Sequence, residues 1–202
     1  MITLHHGFPT RSMLARFMLE ETGLPYEIAR VDWEKGQHKS PTYMALQPHG
    51  VIPVLEHDGH VIFECGAICL HLADQVPEKK LAPPVGSFER ATYYQWCYYA
   101  IATELIALAK IAMNTKFLPP ELRSKAVEED GRRSWVDVAQ VMTNAVRDRE
   151  WLLGSSFSTA DVLCGGSLWL ADFVGVLGDH PELRKYYDRV RARPAFAKAF
   201  TP

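Results

Sequence analysis

The stretch Gln47-Pro48-His49-Gly50-Val51-Ile52-Pro53-Val54-Leu55 decides the fold of the first half of this chain. Residues 54–57 and 61–63 have the composition of two short strands, and the Asp58-Gly59 pair between them favours a tight turn with positive φ. A proline has no N–H to give to a strand ladder, so it belongs at the entrance of a strand. The position of the Ile52–Pro53 pair predicts a cis bond, with the isoleucine backbone N–H and C=O left free for another partner.

The second strand runs directly into a helix through the segment Phe63-Glu64-Cys65-Gly66-Ala67-Ile68. Glu64 therefore lies at a helix N-terminus, where unpaired N–H groups and the helix dipole favour an anionic ligand. Cys65 and Cys69 are four residues apart, so on this helix they are stacked neighbours.

Three elements precede this pair of strands. Residues 1–6 have the pattern of a strand, and Gly7-Phe8-Pro9-Thr10-Arg11-Ser12 is a loop rich in helix-breaking and capping residues. Apolar residues at helical spacing follow until Gly23, and residues 26–31 read as a second strand. A strand, a helix and a strand of these lengths make a right-handed unit with parallel strands. The whole order, βαβ-ββα, predicts a thioredoxin-like domain, with ligands bound where strands end and helices begin.

The composition indicates an ordinary globular protein. The chain has 202 residues, of which 48% are apolar and 23% charged, and its net charge is −2. This charge argues against a nucleic-acid-binding protein. The four cysteines have no metal-binding or paired-motif spacing, which predicts reduced thiols in the cytoplasm and no bound metal. No signal peptide is expected, and no apolar segment is expected to be long enough to span a bilayer.

The second half of the chain is predicted to be helical. Pro77-Glu78-Lys79-Lys80-Leu81-Ala82-Pro83-Pro84 has three prolines and few apolar residues, as linkers do. We therefore predict a thioredoxin-like domain over 1–76, a linker over 77–86 and an all-helical domain over 87–202. Within the last, Phe157-Ser158-Thr159-Ala160-Asp161 predicts a helix start, with Ser158 as the cap and Asp161 reaching back to it.

These motifs resemble the glutathione S-transferase family over nearly the full chain. In that family a V-P-x-L segment carries a cis-proline, and a glutamate followed by Ser or Thr opens the third helix. The Gln37-His38 loop followed by Gln47-Pro48 is similar to the theta class, Arg90 with residues 95–105 resembles the beta class, and residues 157–162 resemble the F-S-x-A-D segment of the whole family.

The resemblance implies a glutathione-binding site in the N-terminal domain. Ile52, placed by Pro53, would pair with the cysteinyl backbone of glutathione, and Glu64 would hold the γ-glutamyl ammonium. Cys65 would bind the γ-glutamyl carboxylate, His38 would meet the glycyl carboxylate, and Lys39 is a second candidate for that role. Arg11 is a further candidate contact in the loop. A lone loop histidine is more often simply solvated, and Cys65 departs from the hydroxyl that the family usually has.

The group that ionises the glutathione thiol is left open between two hydroxyls. The thiolate is the nucleophile, and a hydroxyl donor beside the sulfur at a helix N-terminus favours it. The loop offers Thr10 and Ser12, of which we favour Ser12, although Ser12 also suits a structural cap. The beta-class cysteine would fall at Arg11 and its histidine at Ile106, and the loop has no tyrosine. These departures argue against the cysteine- and tyrosine-based mechanisms.

The sequence thus predicts a cytoplasmic, homodimeric glutathione S-transferase that uses glutathione as cosubstrate against small apolar electrophiles, in a detoxification reaction. Two alternatives remain: a non-catalytic module with this fold that binds proteins, and a glutathione-dependent thiol-disulfide reductase. The aromatic residues between Tyr93 and Tyr99 could line the electrophile pocket, although most of them fit a core or a dimer contact better.

Overall fold

The computed structural model describes residues 1–178 and 180–202. Its N-terminal half contains four strands: β1 (Ile2–His6), β2 (Tyr26–Arg30), β3 (Val54–His57) and β4 (His60–Phe63). They form one sheet in the order β2-β1-β3-β4. β1 and β2 are parallel, whereas β3 is antiparallel to both β1 and β4. This is the thioredoxin-like arrangement predicted from the order of the elements, and that prediction is confirmed.

The turn between β3 and β4 has the predicted backbone. Asp58 and Gly59 have φ values of 49° and 82°, and the register pairs His57 with His60 across them. Both central residues of the turn thus have positive φ, which matches the right-handed twist of the two strands. The Ile52–Pro53 bond before β3 is cis, as predicted, and the Phe8–Pro9 bond, which we did not predict, is cis as well.

Three helices lie in the same half of the chain as the sheet. α1 (Ser12–Thr22) and α3 (Cys65–Asp74) have several turns, and α2 (Pro41–Met44) has one. α1 packs against α3, and its core-facing side chains include Leu14, Phe17 and Met18, which are fully or almost fully buried. α1 ends where Gly23 takes a left-handed φ of 68°, and the Gly23 N–H donates to the Leu19 carbonyl. A one-turn 3₁₀ helix, Gln37–Lys39, lies before α2.

The second half of the chain is helical. α4 (Phe88–Tyr99) continues through a π-helical segment, Ala100–Glu104, into α5 (Leu105–Ala112) and a second one, Met113–Phe117. The remaining helices are α6 (Lys125–Val146), α7 (Thr159–Phe173), α8 (Pro181–Arg191) and α9 (Pro194–Ala199). α5 packs on α6, and α7 packs on α4 and α8. The predicted capping box at the start of α7 is confirmed, with Ser158 and Asp161 bonded reciprocally.

Gly131 brings α5 and α6 close together. A Cβ atom at this position would lie 2.8 Å from the Lys110 Cβ and 2.9 Å from the Ala107 carbonyl oxygen. Both distances are shorter than carbon and oxygen atoms tolerate, so only glycine permits this helix–helix spacing.

Contacts divide the chain into two compact units. One contains residues 1–82 with 193–202, and the other contains residues 83–192. The division between residues 82 and 83 lies inside the segment 77–86 that we expect to be a linker. Residues 193–202 group with the first unit, although the expected boundaries place them in the helical domain. The reason is the packing of α9 on α1, where the Arg193 guanidinium bonds Glu21 at 2.6 and 2.7 Å.

Among the described residues, the helical run Phe88–Phe117 is long and apolar enough to cross a membrane, because an 18-residue window within it has a mean hydropathy of 1.3. The expectation that no segment reaches this length was therefore wrong. Half of the apolar window is buried by the rest of the chain. The core helix of a globular protein passes the same test, so the run is weak evidence for a membrane span.

Candidate functional site

The loop between β1 and α1 places two hydroxyls in one hydrogen-bonded group. Thr10 Oγ1 and Ser12 Oγ lie 2.7 Å apart, and the Thr10 hydroxyl reaches the Gly7 carbonyl at 2.6 Å. Ser12 Oγ also accepts from the Gly7 N–H at 3.2 Å and lies 3.1 Å from the Gly7 carbonyl. Ser12 has no exposed surface, whereas Thr10 is partly exposed. The hydroxyl that the sequence favours thus points into the protein, because the first turn of α1 packs against the end of β1.

A buried histidine that the sequence analysis missed contacts this group of hydroxyls on its inner side. His6, the last residue of β1, lies with its Nδ1 atom 2.8 Å from Ser12 Oγ. Burial, with the Arg16 and Arg30 charges, lowers the pKa of His6 to about 4, so the ring is neutral at neutral pH. Its Nε2 atom is buried and has no hydrogen-bond partner within residues 1–178 and 180–202. The alternation of β1, which buries residues 2, 4 and 6, was the signal that could have shown that this side chain faces the core.

The backbone before β3 has the unpaired groups that the sequence predicted. Among the described residues, neither the N–H nor the C=O of Ile52 has a hydrogen-bond partner. The Tyr43 hydroxyl holds this segment by donating to the Val51 carbonyl at 2.8 Å. Pro53 is buried, and the half-buried Ile52 side chain packs on the cluster of Val31, Tyr43 and Val54. The Tyr43 hydrogen bond and the packing of the Ile52 side chain thus hold this segment in place, while the backbone N–H and C=O of Ile52 stay available to a ligand.

Glu64 and Cys65 at the start of α3 have opposite environments. Glu64 is exposed, has a φ of 73° and makes no capping bond to its own helix. A positive φ is uncommon for a residue with a Cβ, and such outliers are found most often at functional positions. Cys65 is 4% exposed, and its thiol lies 3.3 Å from the Arg11 carbonyl oxygen. Only the backbone N–H of Cys65 therefore remains for an anion, as part of the unpaired first turn of α3.

The loop before α2 brings its two candidates beside Gly50. The Lys39 ammonium donates to the His49 carbonyl at 2.8 Å, and a Cβ on Gly50 would meet the His38 carbonyl oxygen at 2.7 Å. Gly50, which the sequence analysis did not single out, has a φ of 57° and is needed for this close approach. His38 is half-buried, and its Nδ1 atom is buried with no hydrogen-bond partner in the described part of the chain.

Several contacts join these segments within the first unit. A Cβ on Gly7 would lie 3.1 Å from Ile52 Cδ1, so the loop after β1 touches the segment before β3. The Trp33 indole N–H, a contact that the sequence analysis missed, donates to the Phe8 carbonyl at 2.9 Å. The Cys65–Arg11 contact brings the N-termini of α1 and α3 together, with the Arg11 side chain exposed. No cluster of three or more side chains suited to a metal ion occurs among the described residues.

This arrangement combines two helix N-termini, an exposed carboxylate and an unpaired backbone N–H and C=O. Helix N-termini attract anions, a free carboxylate attracts an ammonium group, and an open backbone pair accepts one residue of an extended peptide. The chemistry therefore fits a small zwitterionic peptide with at least one carboxylate.

Family models match both halves of the chain. Residues 1–74 match the glutathione S-transferase N-terminal domain, and residues 106–194 match the glutathione S-transferase C-terminal domain. The chain is 32% identical over 155 residues to glutathione S-transferase GstA of Escherichia coli O157:H7, covering 74% of this chain and 72% of GstA. It is 27% identical over 213 residues to the disulfide-bond oxidoreductase YfcG of Escherichia coli K12, covering 98% and 94% of the two chains.

Solved structures show the same fold. A glutathione transferase family member from Pseudomonas fluorescens Pf-5, crystallised with two glutathione bound, superposes with a TM-score of 0.89 at 25% identity, covering 98% of this chain and 92% of its own. The fold, the matched domains and the relatives together define the class of protein. The chain belongs to the glutathione S-transferase family.

Proposed function

We propose that this protein is a glutathione transferase that binds glutathione in its N-terminal domain and directs the thiolate at a small apolar electrophile. The observation that carries the proposal is Glu64, an exposed carboxylate held at positive φ on the N-terminus of α3. A carboxylate that makes no ion pair with any of the described residues suits, in this position, the α-ammonium of a γ-glutamyl group. Membership of the family and the glutathione found in a related structure support the choice of peptide.

The remaining contacts follow from the groups left unpaired. Ile52, preceding Pro53, would exchange hydrogen bonds with the cysteinyl backbone of glutathione. The Cys65 N–H would receive the γ-glutamyl carboxylate at the α3 N-terminus. His38 and Lys39 would meet the glycyl carboxylate, and the exposed Arg11 would add positive charge beside the thiol.

The loop hydroxyls Thr10 and Ser12 would supply the donor to the sulfur. A free thiol has a pKa near 8.5, so roughly a few per cent of it is ionised at neutral pH. A hydrogen bond to the thiolate lowers that pKa, and lowering the pKa by one corresponds to a stabilisation of the thiolate by about 1.4 kcal/mol. The loop therefore raises the fraction of the nucleophilic form without a catalytic cysteine or tyrosine.

A second candidate function is glutathione-dependent disulfide reduction, because YfcG, a disulfide-bond oxidoreductase, matches nearly the whole chain. The two functions share the glutathione site and differ in the acceptor of the thiolate. A carbon electrophile gives a thioether, whereas a disulfide gives a mixed disulfide that a second glutathione then resolves. Turnover of an aryl halide and turnover of a small disulfide, measured at the same enzyme and glutathione concentrations, separate the two reactions.

The proposal extends to the assembly and compartment expected from the sequence. We propose a homodimer in the cytoplasm, with detoxification as the general role. All four cysteines are free and buried, which is compatible with a reducing compartment.

The test is calorimetry of glutathione binding together with turnover of an aryl halide. Removing the carboxylate in Glu64→Ala should weaken glutathione binding roughly 10- to 100-fold, since a hydrogen bond to a charged group contributes about 1.5–3 kcal/mol. Glu34→Ala, which removes another exposed carboxylate of the same unit, is the matched control and should bind normally. Unchanged affinity in Glu64→Ala, or no measurable binding by the unaltered protein, would refute the proposed site.

A further inference from the structure

His6, Ser12 and Thr10 form a hydrogen-bonded chain that runs from the buried end of β1 to the partly exposed loop before α1. We propose that His6, acting through Ser12, is a positioning residue that makes Thr10 the hydroxyl which donates to the glutathione sulfur. This inference rests on the proposed function and assigns an order to the two loop hydroxyls and a role to His6.

Exposure sets the order of the two hydroxyls. Ser12 has no exposed surface, and its Oγ atom is surrounded by Gly7, Thr10 and His6 at 2.7–3.2 Å. A ligand sulfur could reach Ser12 only if this group were broken. Thr10 is partly exposed and has a single hydroxyl proton to offer. Thr10 is therefore the outer member of the chain and Ser12 the inner one.

The tautomer of His6 sets the direction of the chain. His6 Nε2 is buried and none of the residues that the structure describes bonds to it, so it is either an unpaired donor or an unused acceptor. Buried unpaired N–H groups are rarer than under-used acceptors. We therefore assign the proton to Nδ1, from which it is donated to Ser12 Oγ at 2.8 Å. This assignment follows from the bonding partners and not from an observed hydrogen.

With that tautomer, the protons of the two hydroxyls point outward. Ser12 Oγ already accepts from His6 and from the Gly7 N–H, so its own proton goes to Thr10 Oγ1, which is 2.7 Å away and nearer than the Gly7 carbonyl at 3.1 Å. Thr10 Oγ1 accepts that proton as well as the Ser12 N–H. Its own proton faces the Gly7 carbonyl at 2.6 Å, and it can rotate to a sulfur that arrives at the loop.

Burial and the charges around His6 keep its ring neutral, as this direction of the hydrogen bonds requires. Burial, with Arg16 on α1 and Arg30 on β2, holds the ring neutral at neutral pH. A neutral ring donates through one nitrogen only and adds no charge of its own to the site. Its contribution is the orientation of Ser12, and each donor in such a chain polarises the next.

The experiment is an ultraviolet titration of the thiolate of bound glutathione. Thr10→Val, which removes the hydroxyl and keeps the shape, should raise the thiol pKa by about one or more, and Thr10→Ser should restore it. Ser12→Ala and His6→Leu should each raise the pKa by a smaller amount, with glutathione affinity nearly unchanged. His6→Asn should restore it, because the asparagine amide can donate where Nδ1 does.

A double-mutant comparison separates a relay from simple misfolding. If Ser12 and His6 act through Thr10, then Ser12→Ala and His6→Leu should have no further effect on the thiol pKa in a Thr10→Val background. Circular dichroism and the retained affinity verify that each variant is folded. An effect of Ser12→Ala equal to or larger than that of Thr10→Val would show that Ser12 touches the sulfur itself, and the proposal would fall.

Two further outcomes separate the role of His6 from the proposed transferase function. A lowered thiol pKa in the unaltered protein that His6→Leu leaves unchanged would overturn the relay and leave the transferase proposal standing. A bound thiol with the same pKa as free glutathione would overturn thiol activation by these hydroxyls and, with it, the relay.

Discussion

At the scale of single residues, Glu104 is a fully buried carboxyl group in the helical unit. It has no exposed surface, and neither carboxyl oxygen has a hydrogen-bond partner among the described residues. Burial raises the pKa of Glu104 well above its ordinary value, and the nearby Cys164 thiol offsets this only in part. That thiol donates to the Trp96 carbonyl at 3.3 Å. An unpaired buried carboxylate is strongly disfavoured, so the folded chain holds the Glu104 proton to a higher pH than the unfolded chain does.

A raised pKa in the folded state makes stability depend on pH. Below about pH 4.5, the ordinary value for glutamate, the folded and unfolded chains both hold the proton. Above it the unfolded chain loses the proton and the folded chain keeps it, so the free energy of unfolding falls as pH rises towards the folded-state pKa. Glu104→Gln should remove this fall, which urea denaturation at pH 5, 6, 7 and 8 would measure.

The comparison isolates Glu104 because other shifted groups are common to both proteins. Burial also raises the pKa of Asp161, for example, and that contribution cancels between Glu104→Gln and the unaltered chain. Parallel pH profiles for the two proteins would show that Glu104 is ionised in the folded state.

At the scale of elements, the start of α7 depends on one buried carboxylate. Asp161 Oδ1 accepts from the Leu152 N–H and the Tyr186 hydroxyl, both at 2.9 Å. Asp161 Oδ2 accepts from the Ser158 N–H at 3.0 Å and lies 3.1 Å from the Ser158 hydroxyl. The same side chain thus caps α7, holds the loop before it and reaches α8.

Removing this carboxylate should destabilise the protein strongly. Asp161→Ala would leave two backbone N–H groups and a tyrosine hydroxyl buried without partners, at a cost of about 3–5 kcal/mol. Asp172→Ala on the same helix is the matched control, because its bond to Arg184 at 2.6 Å is partly exposed and contributes about 0–1 kcal/mol. Urea midpoints for both variants provide the measurement, and similar losses in the two would contradict a central role for Asp161.

At the scale of the whole molecule, the helical unit carries several large apolar side chains that are exposed in the part of the chain that the structure describes. Ile106 on α5 and Val141 on α6 are both 45% exposed and line one cavity of about 340 Å³. Tyr98 on α4 and Val136 on α6 are 66% and 60% exposed. Apolar side chains that are exposed together at one place mark interaction sites, whereas single scattered ones are normal on a protein surface.

We expect this surface to take part in the proposed homodimer. Ile106→Glu would place a charge against apolar side chains at a subunit contact, so it should shift the protein from dimer to monomer at micromolar concentration. Leu122→Glu, which changes another exposed leucine-sized side chain outside that cavity, is the control. Sedimentation velocity measures both variants. A monomer in the unaltered protein would contradict the homodimer, and a dimer that survives Ile106→Glu would move the contact elsewhere.

The sequence by itself determined the features that depend on neighbours along the chain. Asp58-Gly59 specified the turn because few other pairs adopt positive φ twice, and Ser158 with Asp161 specified the start of α7 because a capping box needs only four consecutive residues. The order of strands and helices then predicted a thioredoxin-like sheet, and the structure has that sheet.

Only the tertiary structure decided which side chains those elements bury and join. The sequence offers both Thr10 and Ser12 as donors, and their exposure differs because the first turn of α1 packs against β1 and places Ser12 beside His6. Glu104 looks like an ordinary helical glutamate until α7 covers it, and Gly50 matters only because the loop at His38 lies against it. The burial of Ser12 and Glu104 and the close approach at Gly50 depend on how separate elements pack, so the residue types next to them in the sequence do not encode these features.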